Sequence, residues 1–425
     1  MSDVSDVAIA REASVRSPIP PPHPDWTPED LIRRARELTP LLRERSARCD
    51  AEGRILEESN DEFVEAGFYR ILQPREFGGY EYGLPTFVRV ATEIARGCPS
   101  SGWVFALTTG HAIMLSAFFS EQAQIEVYGA DGDFRGPSST GPRVKARRVD
   151  GGYLLDGGWD YASGIDISTH FICGMSVQSD DPDQRPQNRM AVLDRDQYEI
   201  LDNWHVFGMH GTGSRRVVVH DLFVPEYRTI IPPRDAFNSR NAPGRHVHVN
   251  PMYCAGRLTS VLLEEMAAVA VGIGKGMLDA FEIEAAQKSS MSALVTPGTT
   301  NADLPAFQRH FGEAWALVHM AEATVHKVAD DYMEYARQDA EEGIEFSDER
   351  DQQLQVLEQY ATKLCADAVD LLFRTAGTSG AQDGTLRQRY YRDMSVINTH
   401  AAAQYERGAE QLGRIHLTGA PTPPR

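Results

Sequence analysis

Trp204-His-Val-Phe-Gly-Met-His-Gly-Thr-Gly-Ser-Arg-Arg-Val-Val-Val-His-Asp-Leu-Phe-Val-Pro225 is the stretch whose reading decides the fold. Gly208, Gly211 and Gly213 allow the backbone to bend where a side chain would be rejected. The β-branched run Val217-Val-Val219 then reads as a strand that Pro225 ends. A glycine-rich turn entering a strand is common, and by itself it says little. A second stretch, Trp159-Asp-Tyr-Ala-Ser-Gly164, closes another β-rich run upstream. Strict alternation through it puts Trp159, Tyr161 and Ser163 on one face of an extended strand.

Around these two stretches the chain changes texture twice. Residues 1–25 end in Ser17-Pro-Ile-Pro-Pro-Pro-His-Pro24, too proline-dense for a helix, and read as a mobile extended arm. Residues 26–132 form a helical region. It opens on Thr27-Pro-Glu-Asp30, a hydroxyl cap with proline and acids in the first turn, and apolar positions then recur at helical spacing over 31–67. Residues 86–96 and 101–119 give two more helices, the second apolar on nearly every face and hence buried. His111 lies inside it, and on its own reads as a core histidine satisfied by a backbone carbonyl. Residues 133–235 alternate in short segments broken by Gly, Pro and Asp, with strands at Tyr153, His170, Met190 and Val217 and a polar hairpin at 180–187. Residues 236–425 return to helical periodicity, and the four segments 258–287, 305–338, 351–376 and 386–412 predict a four-helix bundle.

Composition narrows the function. A net charge of −19 over 425 residues argues against nucleic acid as a partner. No apolar run is long enough to span a bilayer, and the N-terminus has no signal-peptide pattern. The five cysteines (Cys49, Cys98, Cys173, Cys254, Cys365) form no C-x-x-C pair, which points to a reducing cytoplasm and to no metal site. Three tempting patterns carry no function. Gly272-Ile-Gly-Lys-Gly276 lies in a helix and fits no phosphate-loop spacing, His246-Val-His248 lacks a third ligand, and Glu341-Glu-Gly343 is a solvated turn.

The 159–164 and 204–225 stretches together resemble the flavin-contacting strands of the acyl-CoA dehydrogenase superfamily, in particular its oxygenase branch, the two-component aromatic hydroxylases of the 4-hydroxyphenylacetate and secosteroid type. Pro74-Arg-Glu-Phe-Gly-Gly79, Phe373-Arg-Thr-Ala-Gly-Thr-Ser-Gly380 and Tyr391-Arg-Asp393 extend the resemblance over residues 26–420. It implies an α+β fold: an N-terminal helical domain, a central β-barrel or sandwich, and a C-terminal four-helix bundle. It also implies reduced FMN or FAD supplied by a separate NAD(P)H:flavin reductase, dioxygen as co-substrate, a small aromatic substrate and a homotetramer. Trp159, Ala162, Ser163, Thr212, Gly213 and Ser214 are the expected cofactor contacts, joined by Gly377 and Thr378 from a neighbouring subunit. His111, Ser138, Ser139, Arg257 and His400 are expected at the substrate.

The register after Tyr391-Arg-Asp393 bears on the reaction. Many dehydrogenases of this fold carry their catalytic carboxylate eight residues after the Asp, where this chain has Ala401, preceded by His400. The resemblance therefore implies an oxygenase, in which reduced flavin and dioxygen give a C4a-hydroperoxide whose distal oxygen is transferred to a phenol. Ser163 would hold flavin N5, and a neutral imidazole at His400 would orient or deprotonate the phenol. The alternatives are oxygenation of an amine or sulfur heterocycle on the same fold, or an acyl-CoA dehydrogenase or oxidase.

Overall fold

The computed structural model describes residues 19–129, 131–178, 185–232, 238–239, 242–287, 298–375 and 377–419. Residues 1–18 of the proline-rich arm and 179–184 of the polar hairpin lie outside these. The arm's last part is seated on the helical region: His23 stacks on Trp26 at 3.9 Å and meets the Glu65 carbonyl at 2.9 Å.

Among the described residues five helices come first: α1 (Pro28–Glu52), α2 (Glu57–Glu65), α3 (Leu84–Gly97), α4 (Pro99–Phe118) and α5 (Glu121–Tyr128). Thr27 and Asp30 close a reciprocal capping box at the start of α1. The periodicity over 31–67 is not one helix, because Gly53, at φ +63°, stops α1 in the left-handed conformation that ends many helices.

Among the described residues the β region is one seven-stranded sheet: β1 (Ser138–Val149), β2 (Gly152–Ala162), β3 (His170–Val177), β4 (Gln187–Asp194), β5 (Glu199–Leu201), β6 (Arg215–Pro225) and β7 (Thr229–Ile230). Its order is β5-β6-β2-β1-β3-β4-β7, antiparallel except for the β1–β3 pair. It curls around a core of its own that includes Tyr153, Trp159, Phe171, Met175 and Val217. Trp159 is fully buried there, its indole N–H donating to the Gly174 carbonyl at 2.7 Å. Tyr161, two residues on, is 66% exposed and has φ +64°. The expected alternation therefore fails: the register shifts between Trp159 and Ala162, and a bulge turns the end of β2 over.

Two short helices, α6 (Gly244–Val247) and α7 (Pro251–Cys254), lead into α8 (Leu258–Gln287), α9 (Pro305–Arg337), α10 (Asp348–Arg374), α11 (Leu386–Ile397) and α12 (Tyr405–Thr418). The predicted segment 386–412 is thus two helices. The turn residues between them satisfy backbone groups locally: Thr399 Oγ1 donates to the Val396 carbonyl at 2.7 Å, and His400 caps a short turn over Ala401–Ala403. The N-terminal helices and the bundle share one hydrophobic core, and Gly272 and Gly276 of α8 pack against Ala95 and Tyr390. Arg96 forks onto Asp279 with two 2.8 Å hydrogen bonds, tying α3 to α8.

One clamp fixes the β region against the helices. The carboxylate of Asp393 on α11 accepts the Met209 N–H at 2.6 Å, and Met209 is held at φ +56°. Arg392 donates to the Phe207 carbonyl at 2.9 Å and pairs with Asp50 of α1 at 2.9 Å. Gly208 lies so close to α11 that a Cβ there would sit 2.3 Å from the Arg392 oxygen. Burial pushes the Asp393 carboxyl up to about 7, against the lowering effect of the Met209 bond and the neighbouring arginines.

Two predictions follow from this packing. Trp159→Leu should cost about 3 kcal/mol, read as a lowered unfolding midpoint, because it hollows the β core; an unchanged midpoint would show that the indole is not a packing group. Because the folded pKa of Asp393 is raised, its favourable contribution is present near pH 4 and lost as pH rises through about 7. Asp393→Asn, which keeps an acceptor for Met209, should therefore flatten the midpoint-versus-pH profile over that window. A profile parallel to the wild type would show that Asp393 does not titrate there.

Candidate active site

Antiparallel pairing of β2 with β6 brings the two glycine-bearing stretches together. The Gly164 N–H donates to the Thr212 carbonyl at 2.9 Å, and Arg215 pairs with Asp166 at 2.8 Å. Ser163 and Ser214 then face one another with oxygens 2.7 Å apart, and Ser214 lies 2.7 Å from Thr212 Oγ1, which donates to the Met209 carbonyl at 2.8 Å. All three hydroxyls are buried. On its other side Ser163 accepts the indole N–H of Trp103, on α4, at 3.1 Å. The edge of that indole meets the His400 ring, with centroids 5.6 Å apart. Trp103 is a site residue that sequence reasoning missed. It lies in a helix apolar on all sides, where no face stands out, and only its eight-residue spacing from His111 hinted at a shared side.

His111 and Ser138 form a second polar pair. His111 Nδ1 lies 2.8 Å from the Gly136 carbonyl, and Nε2 lies 3.2 Å from Ser138 Oγ. A carbonyl only accepts, so the proton sits on Nδ1. Full burial holds the ring near pKa 4, hence neutral, so Nε2 is bare and the Ser138 O–H donates to it. The carbonyl bond expected of a core histidine is present, and the second nitrogen serves the serine as well.

His400 has the opposite polarity. Its Nδ1 accepts the Ala402 N–H at 3.2 Å, and desolvation lowers its pKa below the ordinary histidine value. The neutral ring therefore carries its proton on Nε2 and offers a donor.

Other expected site residues stand apart from these groups. Trp159 is in the β core, with Ala162 fully buried near it. Ser139 donates to the Asp160 carbonyl at 3.2 Å, fastening β1 to β2. Arg257 is buried beneath the α9–α10 connection, bonded to the Phe346 carbonyl and to Asp348, both at 2.6 Å. Gly377 and Thr378 lie on an exposed turn, Gly377 at φ +63°. His248 pairs with Gln124 at 2.7 Å and Glu76 at 3.1 Å, and no cluster able to hold a metal occurs among the described residues.

The arrangement suits a flavin. Ser163 offers an oxygen, and Tyr161 (66% exposed) and Phe207 (60% exposed), one on each stretch, leave aromatic surface uncovered of the kind a flat ring system covers. Comparison with known proteins agrees. Family models for the acyl-CoA dehydrogenase N-terminal and C-terminal domains match residues 31–129 and 265–405. The chain is 33% identical over 385 residues to the oxygenase subunit HsaA of a flavin-dependent monooxygenase from Rhodococcus jostii, covering 90% of this chain and 97% of that one. It is 28% identical over 404 residues to the oxygenase component of p-hydroxyphenylacetate 3-hydroxylase from Acinetobacter baumannii, covering 94% and 92%. The crystal structure of 3-HSA hydroxylase from Rhodococcus sp. RHA1 superposes with a TM-score of 0.82 at 30% identity, over 92% of this chain and 97% of that one. The chain belongs to the flavin-dependent monooxygenases of acyl-CoA dehydrogenase fold, the oxygenase components that use reduced flavin and dioxygen.

Proposed function

We propose that this oxygenase hydroxylates a phenol, and that the observation carrying this reading is the fixed polarity of the His111–Ser138 pair. The Ser138 proton is committed to the bare Nε2 of His111, so the serine oxygen is left as an acceptor for a phenolic O–H. As the phenol donates, the serine proton is drawn further toward His111, and the three groups polarise one another in one direction. Electron density rises in the ring that is to be attacked. His400, with its proton on Nε2, serves better as a donor that orients the substrate or steadies developing negative charge than as a base.

Trp103, Ser163, Thr212, Gly213 and Ser214 would hold the flavin, with Ser163 at N5; when bound, the flavin supplies the activated oxygen. The substrate named for the Acinetobacter baumannii relative, p-hydroxyphenylacetate, is a phenol, which supports the same class here. Reduced flavin would come from a separate reductase, since the chain carries no dinucleotide-binding motif. Gly377 and Thr378 would meet the flavin of a neighbouring subunit in a homotetramer. No helix among the described residues is long and apolar enough to cross a membrane; the five unpaired cysteines support a cytoplasmic location.

The test supplies reduced FMN or FAD anaerobically, admits labelled dioxygen and follows a panel of phenols. A phenol gaining one labelled oxygen is the expected product. Labelled indole or thioether products with no phenol turnover would move the assignment to a heterocycle. His400→Ala should slow oxygen transfer about a hundredfold, as loss of one preorganised donor does; an unchanged rate would make His400 a packing residue. Light scattering should give a tetramer, and a fully active monomer would exclude the shared flavin site.

A further inference from the structure

The hydroxyl chain behind Ser163 has only one way to place its protons. Thr212 Oγ1 bonds the Met209 carbonyl at 2.8 Å, and a carbonyl cannot donate, so the Thr212 proton is spent there. The 2.7 Å contact between Thr212 and Ser214 must then use the proton of Ser214. By the same count, the 2.7 Å contact between Ser214 and Ser163 uses the proton of Ser163. Ser163 also receives the Trp103 indole proton at 3.1 Å. What remains to it is a lone pair. All three hydroxyls are at least nine-tenths buried, so water is poorly placed to reverse the order.

We infer that Thr212 and Ser214 are positioning residues that make Ser163 an obligate hydrogen-bond acceptor, and that the site thereby selects reduced over oxidised flavin. The inference rests on the proposed placement of Ser163 at flavin N5. The Ser163 oxygen would accept the proton that reduced flavin carries on N5. Oxidised flavin has only a lone pair there, which would face another lone pair. The preference is set two residues behind the contact, by the carbonyl that takes the Thr212 proton. An oxygenase gains from it, since it must take up reduced flavin from a reductase and release the oxidised form after turnover.

The experiment measures flavin affinity in both redox states, without turnover. Oxidised FMN and FAD are titrated by fluorescence, and the reduced forms are titrated anaerobically, with wild type, Thr212→Val and Thr212→Ser. Valine keeps the shape but removes the link to Met209, so Ser214 can turn its proton toward Ser163 and release the Ser163 proton toward N5. The ratio of oxidised to reduced dissociation constants should then fall about tenfold, the worth of one net hydrogen bond. Equivalently, the two-electron midpoint potential of bound flavin falls by about 30 mV. Thr212→Ser, which keeps the hydroxyl, should retain the wild-type ratio. A merely structural role would weaken both affinities together. An unchanged ratio in Thr212→Val, or an equal fall in Thr212→Ser, overturns the relay. Wild-type protein that binds neither redox form would instead overturn the flavin-site reading on which the relay rests.

Discussion

The site depends on one hydrogen bond between distant parts of the chain, from the Met209 N–H to the buried carboxylate of Asp393, 184 residues later. Met209 adopts a left-handed backbone conformation that costs a non-glycine residue about 1 kcal/mol or more. The surrounding contacts over-determine it: Gly208 rests on the Arg392 backbone, and Arg392 binds both the Phe207 carbonyl and Asp50. The carbonyl of Met209, which this turn aims inward, is the one that accepts the Thr212 proton. The clamp that docks the sheet on the bundle therefore also orders the hydroxyls beneath Ser163.

The polar groups of the site share a design in which each proton is assigned by a neighbour that can only accept or only donate. The Gly136 carbonyl fixes the tautomer of His111, the Ala402 amide fixes that of His400, and the Met209 carbonyl fixes the hydroxyl chain. Backbone groups make good determinants because they do not titrate and do not rotate. Burial adds to this, since it keeps His111 neutral and leaves the hydroxyls few alternatives. A reaction that passes through a reactive oxygen species is best served by such fixed groups, because stray protons and water lead to its loss.

Much of the fold was legible in the sequence because it rests on local patterns. The capping box at Thr27, the all-apolar helix around His111, the strands at Tyr153, His170, Met190 and Val217 and the long C-terminal helices follow from spacing and turn chemistry. The family followed from motifs, and the chain's likeness to known monooxygenases agrees with it. Where periodicity alone misled, other features decided. Helical spacing ran through Gly53 and through residues 398–400, but the left-handed Gly53 ended α1 and the side chain-to-backbone bonds of Thr399 and His400 ended α11, whereas at the end of β2 the pairing with β6 decided.

The candidate site divides along the same line. The sequence alone placed Ser163, Thr212, Ser214, His111, Ser138 and His400 in motifs that carry chemistry. It gave Trp159 and Tyr161 a common face, which the bulge between Trp159 and Ala162 removed by sending the indole into the core and the phenol ring outward. It offered no sign of Trp103 against Ser163, of Arg257 buried under the α9–α10 connection, or of the direction of any proton. Those depend on which groups meet across tens to hundreds of residues, and hydrogen-bond polarity is a property of the pair that meets. The residue types set what chemistry was possible, and the tertiary structure decided who donates to whom.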